Sequence, residues 1–262
     1  MSQVQAIIKA TVIILALVAS HANASVFKNS RFVEITTDVL NLTVDLVGAD
    51  LSTANAQQIT VQSGLIAQVG IVPNHLATYQ STVSSASLQV GQNALEVPFT
   101  WTDAIGITVR KIYRFERGSF AVRLRYEISN ESSTPITLFQ YSQIQSRFGD
   151  VNASFFYSKG NQFVKIVPSD FIDNPLKTST VGGWFGLLKN KLFVSWIPAN
   201  ELNQYTSVLL PAAANKPSAY LIRQSSAPRV LAPSASLALR STLYVGPFPN
   251  WLTATQGVER VR

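Results

Sequence analysis

Residues able to move a proton, attack a carbon or hold a metal are few in this chain, and none are spaced to cooperate. There is no cysteine, which removes thiol catalysis, Cys-based zinc sites and a disulfide framework. Of the 2 histidines, only His75 lies beyond the apolar N-terminal segment. Alone in Val72-Pro73-Asn74-His75-Leu76, it reads as a solvated loop side chain. No G-x-S-x-G supplies a nucleophile elbow, and nothing in the sequence pairs His75 as a Ser-His-Asp triad requires. Asp170 and Asp173 look like an acid pair, but the segment reads as a loop, where three-residue spacing places nothing together. Asp103, in Thr102-Asp103-Ala104-Ile105-Gly106, sits where aspartate bonds locally in turns. Gly182-Gly183 lacks the lysine and helix of a phosphate loop. The expectation is no enzyme: no catalytic, cofactor-binding or metal-binding residue.

Two groupings of side chains remain. The first is Arg110, Arg114, Arg123 and Arg125, inside a stretch that alternates with period two. Leu95, Val97 and Phe99 alternate with polar or small neighbours; Ile107, Val109, Tyr113 and Phe115 follow, with Lys111 the exception, then Val122, Leu124, Tyr126 and Ile128. Such alternation predicts half-buried antiparallel strands, the last two joined as a hairpin. A turn over Glu116 to Ser119 sets Phe115 opposite Phe120, so Arg110 faces Arg125, Ile112 faces Arg123 and Arg114 faces Ala121. All four arginines then share one face. Like charges directly opposite disfavour pairing, so Glu127 or an acid on a neighbouring strand is expected to neutralise part of the face. The functional alternative is contact with an anionic surface, phospholipid headgroups or an acidic partner. At about 1 kcal/mol per basic residue, four give about millimolar affinity, enough to orient a tethered domain. The second grouping is Trp184, Phe185, Phe193 and Trp196, candidate lining for a peptide-binding cleft, although large aromatics in a β-protein are mainly core.

The elements that must position these residues are strands almost throughout. Leu40, Leu42, Val44 and Leu46 share one face before Gly48-Ala49-Asp50-Leu51 interrupts the strand. Residues 52–90 turn polar and read as loops and short strands. Ile136 to Tyr141, Phe155 to Tyr157, Leu209 to Ala214, Ala219 to Arg223 and Leu237 to Leu243 add further strands, and only Asn250 to Gln256 reads as a short C-terminal helix. The fold class is all-β. Charged residues make up 13% of the 262 residues, with a formal charge of +7, too sparse for a nucleic-acid binder. At the N-terminus, Lys9, the apolar run from Ala10 to Ala19 and Ala22-Asn23-Ala24 form an export signal with a cleavage site. Residues 1–24 are therefore a signal peptide, or an N-terminal anchor if uncleaved; 25–31 are a lead-in, and 32–262 the β domain.

Three ordered blocks make the chain recognisable. Gly91-Gln92-Asn93 with Leu95, Val97 and Pro98, then Thr102-Asp103-Ala104 and Arg117-Gly118, form the first. Gly182-Gly183-Trp184 with Trp196-Ile197-Pro198 form the second, and Ser241-Thr242-Leu243-Tyr244-Val245-Gly246-Pro247 the third. Together they resemble the large periplasmic domain of the bacterial membrane protein insertase YidC family. The resemblance implies a single large twisted β-sandwich, the supersandwich of galactose mutarotase-like proteins. It implies a place in the periplasm, or on the periplasmic face of the inner membrane. In that family the insertase activity belongs to the membrane helices after this domain, so the chain by itself is expected not to insert proteins. The role implied is an accessory, interaction or chaperone-like module in membrane protein insertion and Sec-linked protein transport. Its partners would be SecDF or Sec translocon subunits, nascent membrane proteins and, weakly, anionic membrane. The alternative is a non-catalytic carbohydrate-binding protein of mutarotase-like fold. Sugar epimerases of that fold use two histidines and a glutamate, which His75 alone cannot reproduce.

Overall fold

The computed structural model describes residues 30–56, 59–62, 65–70, 77–147, 153–159, 162–212 and 218–248. The signal segment, His75 and the C-terminal helix expected at Asn250 to Gln256 lie outside the described residues. Strands in the first half are β1 (Phe32–Thr36), β2 (Leu40–Asp45), β3 (Asp50–Ala56), β4 (Ile59–Gln62), β5 (Leu65–Gly70), β6 (Ser85–Ser87), β7 (Ala94–Thr102), β8 (Ile107–Glu116) and β9 (Ala121–Asn130). The second half holds β10 (Ile136–Arg147), β11 (Ala153–Lys159), β12 (Gln162–Ile166), α1 (Asp170–Asp173), β13 (Lys177–Val181), β14 (Phe185–Lys189), β15 (Leu192–Pro198), β16 (Leu202–Leu210), β17 (Ala219–Ser226), β18 (Arg229–Leu231) and β19 (Ala235–Pro247).

Alternation in the sequence becomes alternation in burial. In β9, Val122, Leu124, Tyr126 and Ile128 are buried, while the residues between them are exposed or half-buried. Eight antiparallel strands form one layer, in the order β12-β11-β14-β15-β19-β9-β8-β7. The facing layer comprises a five-stranded sheet, β4-β3-β2-β1-β6, and a six-stranded one, β13-β16-β17-β10-β18, with β5 added against β10. Hydrogen bonds cross between the layers: Tyr113 Oη on β8 donates to Ala49 O before β3, and Trp196 Nε1 on β15 donates to Gln143 O on β10. One continuous apolar core draws on all three sheets. The architecture is a β-sandwich.

Local chemistry explains several joints. Asn190 and Lys191 both have positive φ, 48° and 70°, the conformation of a tight two-residue hairpin, and they join β14 to β15. Gly183 adopts φ +92°, and a Cβ there would meet Ser158 Oγ at 2.7 Å and Tyr205 Oη at 3.0 Å. That accounts for the second glycine of Gly-Gly-Trp. Some expected boundaries move. The strand expected from Leu209 is β16, which begins at Leu202 and ends at Leu210. Asp170 and Asp173 lie in a short helix, not a plain loop, and Asp170 Oδ2 accepts the Val167 N–H at 2.9 Å.

Candidate functional site

The four sequence-predicted arginines do share the outer face of β8 and β9, but the hairpin register is shifted by two residues from the expected one. Arg114 faces Arg123, Ile112 faces Arg125 and Arg110 faces Glu127. The turn bond is present, Ser119 N–H donating to Glu116 O at 3.1 Å, yet Phe115 and Phe120 do not pair. Neighbouring strands compete for that end of the hairpin. Arg117 N–H donates to Asn93 O beyond β7, and Phe120 O accepts from Val245 N–H on β19. A shift of two preserves side-chain parity, so the face survives while its pairings change.

The face carries its own acids. Arg110 binds Glu127 at 3.0 Å, Arg114 binds Glu96 at 3.1 Å and Glu116 at 3.3 Å, and Arg123 binds Glu116 at 3.0 Å. Arg125 lies 3.3 Å from Glu127 and 4.0 Å from Glu96. The Glu96 and Glu116 carboxylates hold the Arg114 pKa above its ordinary value. A fifth arginine, which sequence reasoning missed, joins from the next strand. Arg240 on β19 lies directly opposite Arg125 and is exposed, and its side chain has no ion pair or hydrogen bond among the described residues. The alternation of Leu237, Leu239, Ser241 and Leu243 already marks Arg240 as outward-facing; that β19 runs beside β9 is not visible in it. Between these strands lies a pocket of about 250 Å³, lined by Arg114, Arg123, Arg125, Arg240, Glu96 and Thr242 among others. Its charged lining residues leave a formal charge of +3.

Inside the sandwich, Lys111 proves to be no exception to the inward pattern. It is fully buried, and its Nζ donates to Asp50 Oδ1 at 2.7 Å and to Gly48 O at 3.0 Å. The ammonium lies 5.6 Å and 5.7 Å from the ring centroids of Tyr113 and Tyr126. Burial lowers the lysine's pKa, and the Asp50 carboxylate opposes that shift. Burial raises the Tyr113 and Tyr126 hydroxyls well above their ordinary value. Nζ is shut off from solvent, so this arrangement ties β8 to β3 and does not present a base to a substrate. A charged residue in an inward register is the one sequence signal for it; Asp50, 61 positions away, carries none.

The candidate cleft aromatics do not line one surface. Phe185 and Trp196 are directly opposed on β14 and β15 and sit fully buried in the main core. Phe193, also fully buried, points to the other side of the sheet with half-buried Trp184, in a second cluster with Phe156, Phe163, Tyr244 and Phe248. Strand alternation splits the set, and the three buried side chains are out of a peptide's reach. Asp103 Oδ1 accepts the N–H groups of Ile105 at 2.9 Å and Ile107 at 2.8 Å, a turn role. Among the described residues no group of three or more His, Cys, Asp or Glu converges on a metal position. No helix of the described residues is long and apolar enough to cross a membrane.

Comparison with known proteins adds three findings. The family model described as the YidC periplasmic domain matches residues 51–250. Two similar curated proteins are each named membrane protein insertase YidC. That from Methylococcus capsulatus is 27% identical, covering 88% of this chain and 47% of its own length; that from Methylobacillus flagellatus is 30% identical, covering 84% and 44%. This chain thus spans about half the length of the curated relatives it matches. Among solved structures, a galactose mutarotase related enzyme from Lactobacillus acidophilus superposes with a TM-score of 0.54 at 10% identity, covering 82% of this chain and 97% of that one. A galactose mutarotase-like protein from Lactobacillus casei gives 0.52 at 10% identity, covering 82% and 99%. Identity that low carries the fold and no chemistry.

Proposed function

The chain belongs to the YidC periplasmic domain family, and on that premise we propose that it is a non-enzymatic accessory module in membrane protein insertion. The match over residues 51–250 is the observation that carries this reading. The domain type fits a periplasmic or membrane-associated location. In this proposal its partners are membrane proteins during insertion, and SecDF or Sec translocon subunits in Sec-linked transport. What a sandwich of this kind offers a partner is surface. Among the described residues β13 is an edge strand of its sheet, with Lys177, Ser179 and Val181 exposed along it, and its outer main-chain groups could accept an added strand. A chaperone-like hold on extended polypeptide fits that edge better than the buried aromatics. The carbohydrate-binding alternative has only the shared fold behind it, and fold alone does not carry function.

A photo-crosslinker at Ser179 or Val181, in cells making the chain, tests this reading. Adducts with Sec components or nascent membrane proteins are expected. A chain that gives no such adduct and binds on a glycan array instead would replace the proposal with the carbohydrate reading.

A further inference from the structure

We infer that the pocket lined by Arg114, Arg123, Arg125, Arg240 and Thr242, with Glu96 as its one acid, is an anion site that takes the phosphodiester headgroup of an anionic phospholipid. The inference does not depend on which protein the domain serves. It rests on an imbalance of charge within one sheet. Arg110, Arg114, Arg123, Arg125 and Arg240 share an outer face on which, among the described residues, only Glu96, Glu116 and Glu127 pair with them. Two arginine pairs stand directly opposite each other in the ladder, Arg114 with Arg123 and Arg125 with Arg240. Such like-charge pairs oppose strand pairing. Glu116 bridges the first pair, at 3.3 Å and 3.0 Å. No acid bridges the second, because Arg240 meets no carboxylate among the described residues and Ala238 is what β19 sets opposite Glu127. The excess positive charge is therefore concentrated at the β9–β19 side of the face, into which the pocket extends from Glu96 on β7 and Arg114 on β8.

The donor set selects the anion. A guanidinium offers five N–H donors in a planar fork, and each ion pair here engages only part of one. Arg123, Arg125 and Arg240 with the Thr242 hydroxyl present more donors than the two oxygens of a carboxylate readily take. A tetrahedral phosphate accepts from several directions at once. The pocket, about 250 Å³, holds far more than one water's share of about 30 Å³. It opens on the outer face of the sheet, the side that carries the arginines. An anion seated there would bridge Arg125 and Arg240 and remove their mutual repulsion, so binding should also stabilise the fold.

Cosedimentation of the purified chain with phosphatidylglycerol-containing vesicles, and with phosphatidylcholine alone, at low and high salt tests this. One charge at such a surface is worth about fivefold in partitioning. Arg240→Gln should weaken binding about fivefold, and Arg240→Glu about thirtyfold by the same measure. Arg110→Glu, which changes the charge equally on the same face but outside the pocket and beside Glu127, should weaken binding clearly less than Arg240→Glu. Circular dichroism confirms that each variant is folded, and glycerol phosphate should raise the melting temperature of the parent but not of Arg240→Glu. Equal losses from Arg110→Glu and Arg240→Glu would mean a diffuse field and no site. Salt-insensitive binding shared by all variants would assign the contact to the apolar segment at residues 10–19. Stabilisation by glycerol phosphate without vesicle binding would make the ligand a free phosphate ester. Each of these results overturns the lipid headgroup site, as does failure of the parent to bind at low salt.

Discussion

Replacing Asp50 by alanine removes the carboxylate that holds the fully buried Lys111 ammonium, leaving Gly48 O at 3.0 Å as an acceptor. Removing one partner of a buried ion pair costs about 3–5 kcal/mol, because the other charge stays buried without compensation. The two single variants should differ. Asp50→Ala removes the counter-charge from a side chain with no exposure and belongs at the upper end of that range. Lys111→Met removes the ammonium from a carboxylate whose side chain keeps 10% exposure, and belongs at the lower end. Replacing both should cost clearly less than the sum of the two singles, since neither charge is then left buried without the other. In a domain of this size each kcal/mol moves the melting temperature by about 2–4 °C, so Asp50→Ala should lose at least about 8 °C. Losing its proton relieves the buried lysine. Burial already holds its pKa below the ordinary value, and Asp50 is what opposes the shift. A lysine depressed in the folded state binds fewer protons there than in the unfolded chain. Stability of Asp50→Ala should therefore climb as pH rises from the depressed folded value toward about 10.4, the unfolded one. Urea titrations followed by tryptophan fluorescence, across pH 7 to 10 or so, measure both effects. A single-variant cost below about 1 kcal/mol, or a double variant as damaged as the sum of the singles, would refute the coupling.

Four further outcomes follow from neighbouring contacts. Tyr113→Phe removes a 2.6 Å bond to the buried Ala49 carbonyl and should cost about 1–3 kcal/mol, whereas Tyr126→Phe, whose buried Oη has no partner, should be neutral or stabilising in the same urea titration. Burial raises the Tyr79, Tyr113 and Tyr126 pKa values, and pushes Tyr141 up to about 12. Their contribution is intact below the unfolded value near 10 and lost above it, by about 1.4 kcal/mol per pH unit for each; tyrosinate absorbance should then rise together with unfolding and not before it. Gly186→Ala would place a Cβ 2.6 Å from Phe193 Cζ and 2.8 Å from Val194 O, so its urea midpoint should fall by the equivalent of about 1–3 kcal/mol. Arg114→Ala breaks only exposed pairs with Glu96 and Glu116 and should change stability by less than about 1 kcal/mol, less again at high salt.

Period-two alternation from Leu95 to Ile128 was enough to place Val97, Phe99, Val109, Tyr113, Val122 and Tyr126 in the core and to put four arginines on one outer face. That much follows from local geometry, because a strand has only two sides and each residue's side is set by its parity. Parity also survives the two-residue error in the hairpin, which is why the face was legible although its pairings were not. The actual register depended on Asn93 and Val245 drawing the turn residues away from each other, and strands outside the hairpin leave no mark within it. The same limit hid the partner of Lys111. Its inward position could be read from the alternation, but Asp50 reaches it only when β3 and β8 come together from opposite layers. The aromatics were grouped by nearness in sequence, and strand parity sent Phe185 and Trp196 into the core and Trp184 and Phe193 to the other side. Arg240 was missed although Leu239 and Ser241 imply its outward face, and its place opposite Arg125 came only from β19 lying beside β9. Which face a side chain takes is a local property of a strand; which charge stands across from it is decided by the neighbour that the whole sheet supplies.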